Sequence, residues 1–242
     1  MKNLIIVILS LLPVIAQGQF SGNYDEARKT FRSESMNIQT QYPNSELATF
    51  NLPVYSGEGL QPNDLSTDVL YIPAQKNQER LIIINSGIHG IEGYVGSAVQ
   101  IDFLRSKDWQ KYIETTGFII IHAMNPYGFK NNRRANENNV DLNRNFLFPP
   151  LIFENITNQG YRELDPLLNP KEPANMSSLD RTWFYMRAVK DIVQYSMKAL
   201  RQAVLQGQYE FDKGVYFGGK THQYAKTMFD EVLARFSLGY SS

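Results

Sequence analysis

Two largely apolar runs, at 80–85 and 117–124, are the most regular feature of the hydrophobic pattern. Each is short and rich in isoleucine, which predicts a strand buried on both faces. Residues 47–55 and 68–72 predict two further strands, separated by a loop rich in Gly, Pro, Asn and Asp. The pattern therefore supplies the strands of a sheet.

Apolar residues three or four positions apart predict helices around these strands. The predicted helices span residues 23–36, 95–103, 182–206 and 228–236. Residues 147–175 are rich in Pro and Asn, and they predict a long irregular loop.

The order strand, helix, strand predicts an α/β domain with a mostly parallel or mixed sheet flanked by helices. In such sheets, ligand sites form beyond the carboxyl ends of the strands. His89 and Glu92 follow the strand at 80–85, and residues 125–144 follow the strand at 117–124. We expect both segments to open on the same edge of the sheet.

The N-terminus has the composition of an export signal. A short basic start is followed by a nearly continuous apolar run at 4–16, with small residues at the −3 and −1 positions before Gln19. The run is shorter than the roughly 20 residues that a membrane span needs. We therefore expect 1–18 to be a signal peptide and 19–242 to be a single domain, secreted or periplasmic and without membrane attachment after cleavage.

Composition narrows the class of function. Of the 242 residues, 43% are hydrophobic, which is enough for one sizeable core. The formal net charge is zero and no basic face or tail is evident, which argues against nucleic acid as a partner. The chain has no cysteine, so an exported form gains nothing from disulfides. An enzyme or a binding protein is the expectation that remains.

His89 and Glu92 lie three residues apart in a turn that also contains Gly87, Gly90 and Gly93. Histidine and carboxylate side chains are both zinc ligands, and at this spacing in a turn they can face one point. The glycines allow the backbone to approach a bound group closely. The alternative is a surface turn in which Glu92 is solvated and His89 caps backbone.

The polar stretch at 125–146 follows the second apolar strand. It has arginines at 133, 134 and 144, whose planar donor forks match carboxylates. Asparagines surround Asp141 in this stretch: Asn136, Asn138, Asn139, Asn143 and Asn145. The composition predicts either a wall of a substrate site or a solvated loop.

These motifs together resemble the M14 zinc carboxypeptidase family, and more narrowly its DUF2817 branch. The matching elements are His-Gly-Ile-Glu-Gly at 89–93, Asn-Pro-Tyr-Gly-Phe at 125–129 and Val-Asp-Leu-Asn-Arg-Asn-Phe at 140–146. The resemblance covers most of the chain after residue 18. It implies a phosphorylase/hydrolase-like zinc carboxypeptidase architecture. It also implies an enzyme that uses Zn²⁺ to cleave an amide bond next to a free carboxylate, in a peptide or an N-acyl amino acid.

The resemblance implies that His89 and Glu92 bind zinc and that Asp141 orients His89. A catalytic zinc site has three protein ligands. His122 lies inside a predicted strand and is expected to be a packed core residue. His222 is expected to be a loop residue, which leaves it a weak candidate for the third ligand. No residue matches the family's general-base glutamate.

The resemblance also implies how a substrate is held. Asn143 and Arg144 would bind its terminal carboxylate. Arg133 or Arg134 would polarise the scissile carbonyl and stabilise the oxyanion, and Arg134 is the preferred candidate.

The family's third histidine lies at the end of a later strand and its glutamate comes later still, so the sequence resembles the N-terminal part of a longer domain. On this interpretation the chain is truncated at its C-terminus, binds zinc weakly and hydrolyses nothing efficiently. Two other functions remain open. An aspartoacylase-like deacylase, which shares a similar Asp-Leu-Asn-Arg-x-Phe element, would cleave N-acyl amino acids. A non-enzymatic exported module would hold an anionic ligand through Arg133, Arg134 and Arg144.

Overall fold

A computed structural model describes residues 20–53, 64–171 and 177–236. The expected signal peptide and its cleavage site lie outside these residues. The chain divides into two compact units. The first unit contains the residues up to Arg134 and those from Asp230 onward, and the second unit contains Ala135–Phe229. The expectation of one domain over 19–242 stays a prediction.

The first unit is built on a mixed sheet with the strand order β1-β2-β4-β3. Its described strands are β1 (Glu46–Asn51), β2 (Ser66–Ile72), β3 (Arg80–Asn85) and β4 (Thr116–His122). β2 pairs antiparallel with β1 and with β4, while β3 pairs parallel with β4. The α/β class and the mixed sheet are confirmed. Among the described strands the sheet is mixed and not mostly parallel, because β2 runs against both of its neighbours.

The helices that precede the second unit are α1 (Tyr24–Gln41), α2 (Gly93–Ser106) and the short α3 (Pro126–Lys130). α1 begins after Asn23, whose side chain accepts a hydrogen bond from the Glu26 backbone N at 2.9 Å. Asp25 and Glu26 place negative charge in its first turn, where the helix dipole favours it. α1 is five residues longer at its C-terminus than the hydrophobic pattern predicts.

The core of the first unit lies between α1, α2 and one face of the sheet. Burying each large side chain there contributes about 1.5–3 kcal/mol, so this cluster dominates the stability of the unit. Its members are Phe31, Ile38, Leu70, Ile72, Leu104, Trp109, Ile113, Phe118 and Ile120.

The two isoleucine-rich strands differ in burial. Every residue of β4 is buried, as expected for a strand with a neighbour on each side. β3 has the predicted bounds, but among the described strands it lies at the edge of the sheet, and Ile82 is 42% exposed and Ile83 is 38% exposed. The expectation that β3 is buried on both faces is therefore wrong. An apolar run predicts a strand without revealing how many neighbours the strand has.

The helices of the second unit are α4 (Gln159–Leu168) and α5 (Ser178–Gln206), and α6 (Tyr224–Phe236) begins there and ends in the first unit. A small core of Tyr161, Leu164 and Ala203 joins α4 to α5. α5 matches the predicted long helix but is broken at Ser196, where φ is 69°. No described helix has the length and hydropathy that crossing a bilayer requires.

α4 lies within the segment 147–175, so the expectation of an irregular loop is wrong for these residues. Its N-terminus is fixed by Asn158, whose side chain accepts a hydrogen bond from the Tyr161 backbone N at 3.0 Å. Pro and Asn favour loops on average, yet an Asn cap can begin a helix and a Pro within it is tolerated here at Pro166.

Candidate functional site

The parallel pairing of β3 with β4 brings the segments that follow both strands to one edge of the sheet. The pairing continues beyond the strands, since Met124 N donates to Ser86 O and Asn125 N donates to Gly87 O, both at 2.9 Å. The buried Gln100 side chain of α2 donates to the backbone carbonyls of Ile84 at 3.1 Å and of Ile121 at 2.9 Å. Both strand ends are thus fixed, as expected for an edge that supports a site.

His89 and Glu92 occupy a single 3-10 turn between β3 and α2. Nδ1 of His89 lies 3.1 Å from Oε1 of Glu92. His89 is only 6% exposed, whereas the Glu92 side chain is 62% exposed. His89 makes no capping hydrogen bond to the turn. Glu92 is therefore exposed, as the surface-turn alternative expects, whereas His89 is buried and does not cap this turn.

The spacing of the two donor atoms fits a zinc ion. Two donors about 2.1 Å from a tetrahedral Zn²⁺ lie about 3.4 Å apart. The observed separation of 3.1 Å between Nδ1 of His89 and Oε1 of Glu92 is that of a hydrogen bond between them, and it lies a few tenths of an ångström below that value. An imidazole and a carboxylate are also a donor set that zinc prefers. The pair can supply two of the ligands of such an ion.

Gly90 and Gly87 shape the turn through contacts with protein backbone. A Cβ on Gly90 would lie 1.9 Å from the carbonyl carbon of Gly128 and 2.2 Å from the backbone N of Phe129. Gly87 has φ +65°, which disfavours other residues. The expectation that Gly90 and Gly87 make room for a bound group is therefore wrong, because the space beside Gly90 is filled by α3 and that beside Gly87 by Ala123, just beyond β4.

Arg134 and Arg133 differ in what they contact. The backbone carbonyls of both accept hydrogen bonds from the turn, from Gly90 N at 3.4 Å and from Ile91 N at 3.0 Å. The Arg134 side chain brings Nη1 to 3.8 Å from Oε1 of Glu92. The Arg133 guanidinium instead lies over the Tyr127 ring, 5.8 Å from its centroid. The structure therefore places Arg134 beside the His89–Glu92 pair.

The predicted carboxylate-binding residues lie in the second unit, in a 3-10 turn at Leu142–Arg144. Oδ1 of Asp141 accepts a hydrogen bond from Asn143 N at 3.0 Å, and Arg144 N donates to Asp141 O at 2.9 Å. Asn143 is exposed. Nη1 of Arg144 donates to the Asn143 carbonyl at 2.8 Å. Asp141 is buried, and its predicted role toward His89 stays a prediction.

Most asparagines near Asp141 bond to the segment at 207–223. Asn136 and Asn138 both donate to the Gln223 side chain, at 2.9 and 2.8 Å. Asn139 donates to the carbonyls of Asp212 and Gly214. Neither a substrate wall nor a solvated loop describes these residues, because their amides cross-link two segments of protein.

His222 is an exposed loop residue, as predicted, but its orientation is set by the same motif. Its Nδ1 lies 3.1 Å from the Asn145 carbonyl, and its ring meets Phe153 edge-on at 5.1 Å. A carbonyl only accepts, so Nδ1 carries the hydrogen and Nε2 presents a lone pair in the neutral form.

His122 is a core residue, as predicted. It is fully buried, its Nε2 lies 2.9 Å from Ser97 Oγ, and its ring stacks on Phe31 with centroids 4.6 Å apart. Burial, reinforced by the nearby Arg28 charge, lowers the pKa of His122 to about 3. The side chain is therefore neutral near pH 7 and belongs to the packing of the sheet.

The family profile described as a protein of unknown function, DUF2817, matches residues 20–242. The chain belongs to the DUF2817 family. This confirms the resemblance to DUF2817 proteins that the motifs indicate. No curated protein matches the sequence.

Solved structures that resemble this DUF2817 chain do so weakly. Bovine thrombin-activatable fibrinolysis inhibitor, in complex with tick carboxypeptidase inhibitor, is 22% identical with a TM-score of 0.35, over 54% of this chain and 45% of that one. A metallo-carboxypeptidase from Burkholderia cenocepacia is 18% identical with a TM-score of 0.33, over 49% and 32%. A protein of succinylglutamate desuccinylase/aspartoacylase type from Shewanella frigidimarina is 15% identical with a TM-score of 0.35, over 79% and 43%. The chain spans less than half the length of each.

The described part of this DUF2817 chain brings no three His, Cys, Asp or Glu side chains together as a metal site. His89 and Glu92 form a pair, and the third ligand and the general base stay unassigned. Sequence reasoning also missed Tyr209, whose hydroxyl donates to the Arg144 carbonyl at 2.7 Å. The glycines around it, Gly207 and Gly218, are the signal in the sequence that could have revealed a tightly packed loop.

Proposed function

We propose that this chain is part of an exported zinc-dependent hydrolase of carboxypeptidase type, which cleaves an amide bond next to a free carboxylate. The proposal depends most on one observation, the 3.1 Å approach of Nδ1 of His89 to Oε1 of Glu92 beyond the carboxyl end of β3. These are zinc-ligand atoms at a zinc-like spacing, at the edge of the sheet where α/β proteins place their sites.

His89 and Glu92 would hold the metal. A bound Zn²⁺ polarises a carbonyl and lowers the pKa of bound water towards about 7. Burial of His89 limits the rotamers of its ring, which favours a fixed metal position. Asp141, in this proposal, is the carboxylate that orients His89, a role that comes from the sequence motif.

Arg134 would supply positive charge to the oxyanion. Its guanidinium lies 3.8 Å from Glu92, so it is next to the metal-binding pair. Its backbone carbonyl accepts hydrogen bonds from Gly90 N and from the Asn125 side chain, which restrict the position of its Cα. A fixed cation that meets developing negative charge lowers the barrier because it needs no reorganisation during the reaction.

Asn143 and Arg144 would bind the substrate's terminal carboxylate. Asn143 is exposed and offers an amide donor. Nε of Arg144 is buried and has no hydrogen-bond partner among the described residues. The rest of the guanidinium is a planar donor fork that matches a carboxylate. The two side chains together suit a free carboxylate better than an uncharged chain end.

A substrate screen with metal analysis tests the proposal. The purified chain, loaded with zinc and dialysed, is assayed with acetyl-dipeptides, their C-terminal amides and N-acetyl amino acids. Partly retained zinc with slow cleavage of the free-carboxylate dipeptides is the expected result, because two protein ligands hold zinc weakly and no general base is assigned. Cleavage of N-acetyl amino acids alone would favour the aspartoacylase-like deacylase. Carboxylate binding without retained zinc would favour the module that binds anions through its arginines.

A further inference from the structure

The segment Asp141–Asn145 is held by the loop at 207–223, here named the clasp loop. Asp141 N donates to the Phe217 carbonyl at 2.7 Å. The buried Asn145 amide donates to the carbonyls of Gly218 at 2.8 Å and Thr221 at 2.9 Å, and its Oδ1 accepts from Gln223 N at 2.7 Å. Both N–H groups of that amide and one lone pair of its oxygen therefore join the two segments, and one lone pair of the oxygen is left.

The clasp loop is itself braced by Gln208, which is 2% exposed. Its Oε1 accepts hydrogen bonds from Glu210 N at 2.9 Å and Phe211 N at 2.7 Å. Its Nε2 donates to the Phe211 carbonyl at 2.7 Å. Its backbone pairs with Tyr216 and Gly218 across the loop. The loop thus has a fixed conformation before any ligand binds.

Tyr209 connects the clasp loop to the predicted carboxylate-binding arginine. It is 6% exposed, and its hydroxyl donates to the Arg144 backbone carbonyl at 2.7 Å. The ring has backbone against one side, since a Cβ on Gly218 would lie 2.2 Å from its Cε1. Burial raises the pKa of Tyr209, so the hydroxyl remains a donor.

Gly207 meets the other end of Arg144. It has φ +69°, and a Cβ there would lie 2.8 Å from Cδ of Arg144. The aliphatic part of Arg144 therefore passes directly over the Gly207 backbone. The arginine is held at its carbonyl by Tyr209 and along its side chain by Gly207, which restricts where the guanidinium can lie.

We propose that Tyr209 is a positioning residue that fixes Arg144 for binding a substrate carboxylate, with the clasp loop as its support. The inference rests on the proposed function, since Arg144 is the group that meets the carboxylate and Tyr209 acts through it. Binding is stronger when a donor fork is held in place beforehand, because less side-chain freedom is lost on association. Removing the Tyr209 hydroxyl should therefore weaken carboxylate recognition more than it weakens the fold.

The test measures binding of acetyl-alanyl-phenylalanine and of its C-terminal amide by calorimetry. The ratio of the two dissociation constants reports recognition of the carboxylate alone. It is measured for the wild-type chain, Arg144→Ala, Tyr209→Phe and Tyr161→Phe, together with thermal unfolding of each. Tyr161 is the matched control, because its buried hydroxyl donates to the Val215 carbonyl of the same loop at 2.6 Å.

We expect Arg144→Ala to abolish the preference for the carboxylate. Tyr209→Phe should lower it about 3- to 10-fold, the worth of one hydrogen bond. Tyr161→Phe should leave the preference for the carboxylate unchanged, even if it lowers the unfolding temperature as much as Tyr209→Phe does. No preference in the wild-type chain would overturn the proposed function and the inference with it. A wild-type preference that Tyr209→Phe retains, or that both tyrosine variants lose equally, would overturn the inference and leave the proposed function standing.

Discussion

The Asn125 side chain donates a hydrogen bond to the Arg134 backbone carbonyl across 3.3 Å. The same side chain accepts from Gly128 N at 2.8 Å, and Asn125 N donates to the Gly87 carbonyl at 2.9 Å. One residue at the end of β4 thus joins the turn after β3, the start of α3 and the backbone of Arg134. The His89–Glu92 pair and the neighbouring Arg134 therefore lie on a braced scaffold, as a precise site requires.

Gly90→Ala should disrupt this scaffold. The new methyl group would lie 1.9 Å from the carbonyl carbon of Gly128, so α3 or the turn must move. We expect a loss of about 3 kcal/mol or more in the free energy of unfolding, measured with urea. Gly160→Ala is the control, since its Cβ would meet nothing closer than 3.4 Å, and it should change stability by no more than about 1 kcal/mol. Equal losses in the two variants would contradict the close packing of Gly90.

His122 should make stability depend on pH. Its pKa falls from 6.5 to about 3 on folding, so between these values the unfolded chain binds the extra proton. The contribution of His122 to the free energy of unfolding is fully present above pH 6.5, decreases as the pH falls, and is gone near pH 3. We expect a slope of up to about 1.4 kcal/mol per pH unit from this residue.

Urea unfolding between pH 7 and pH 4 checks this prediction in the wild type and in His122→Gln. The variant should be less stable at pH 7, because a stacked ring and its contact with Ser97 are lost. As the pH falls, the free energy of unfolding should decrease less steeply in the variant than in the wild type, because the variant takes up about one proton fewer on unfolding. Parallel slopes in the two proteins would show that His122 does not carry the effect.

The sequence predicts where the strands of this fold lie better than it predicts which strands are neighbours. β3 has the predicted bounds because Gly, Asn and polar residues limit its apolar run, but its edge position depends on which strands pair, and that is not encoded locally. The His89–Glu92 pair is predictable from the sequence, because a spacing of three residues within a turn brings both side chains together. The bond between Tyr209 and Arg144 joins residues 65 positions apart, and no local pattern reveals it.

His89→Ala should remove zinc binding if His89 and Glu92 form the metal site. The side chain supplies one of two described donors, and a carboxylate alone holds zinc poorly. Zinc per chain is measured after dialysis, with His122→Gln as the control histidine variant. The control should retain the metal content of the wild type, because His122 is fully buried and hydrogen-bonded to Ser97. Unchanged zinc in His89→Ala would remove the central step of the proposed function.

Export should depend on the apolar run at 4–16. Leu9→Arg places a charge in that run and should retain the chain in the cytoplasm, whereas Lys2→Arg keeps the basic start and should be exported normally. Fractionation of the producing cells measures both outcomes. The mature wild-type chain should begin near Gln19 on N-terminal sequencing, and exported material that begins at Met1 would contradict a cleaved signal.

The neighbouring arginines offer a matched pair for testing oxyanion stabilisation. Arg134 lies 3.8 Å from Glu92, whereas Arg133 lies over the Tyr127 ring. Because the oxyanion exists only in the transition state, Arg134→Gln should lower kcat and kcat/KM together, by about 100- to 1,000-fold, with KM and bound zinc unchanged. Arg134→Lys keeps the charge and should recover part of the loss. Arg133→Gln should lower kcat less than about 10-fold, since it removes a cation–π contact worth about 0.5–1 kcal/mol. Equal losses at both positions would mean that a general loss of positive charge matters, and a larger loss at Arg133 would assign the oxyanion to that residue instead.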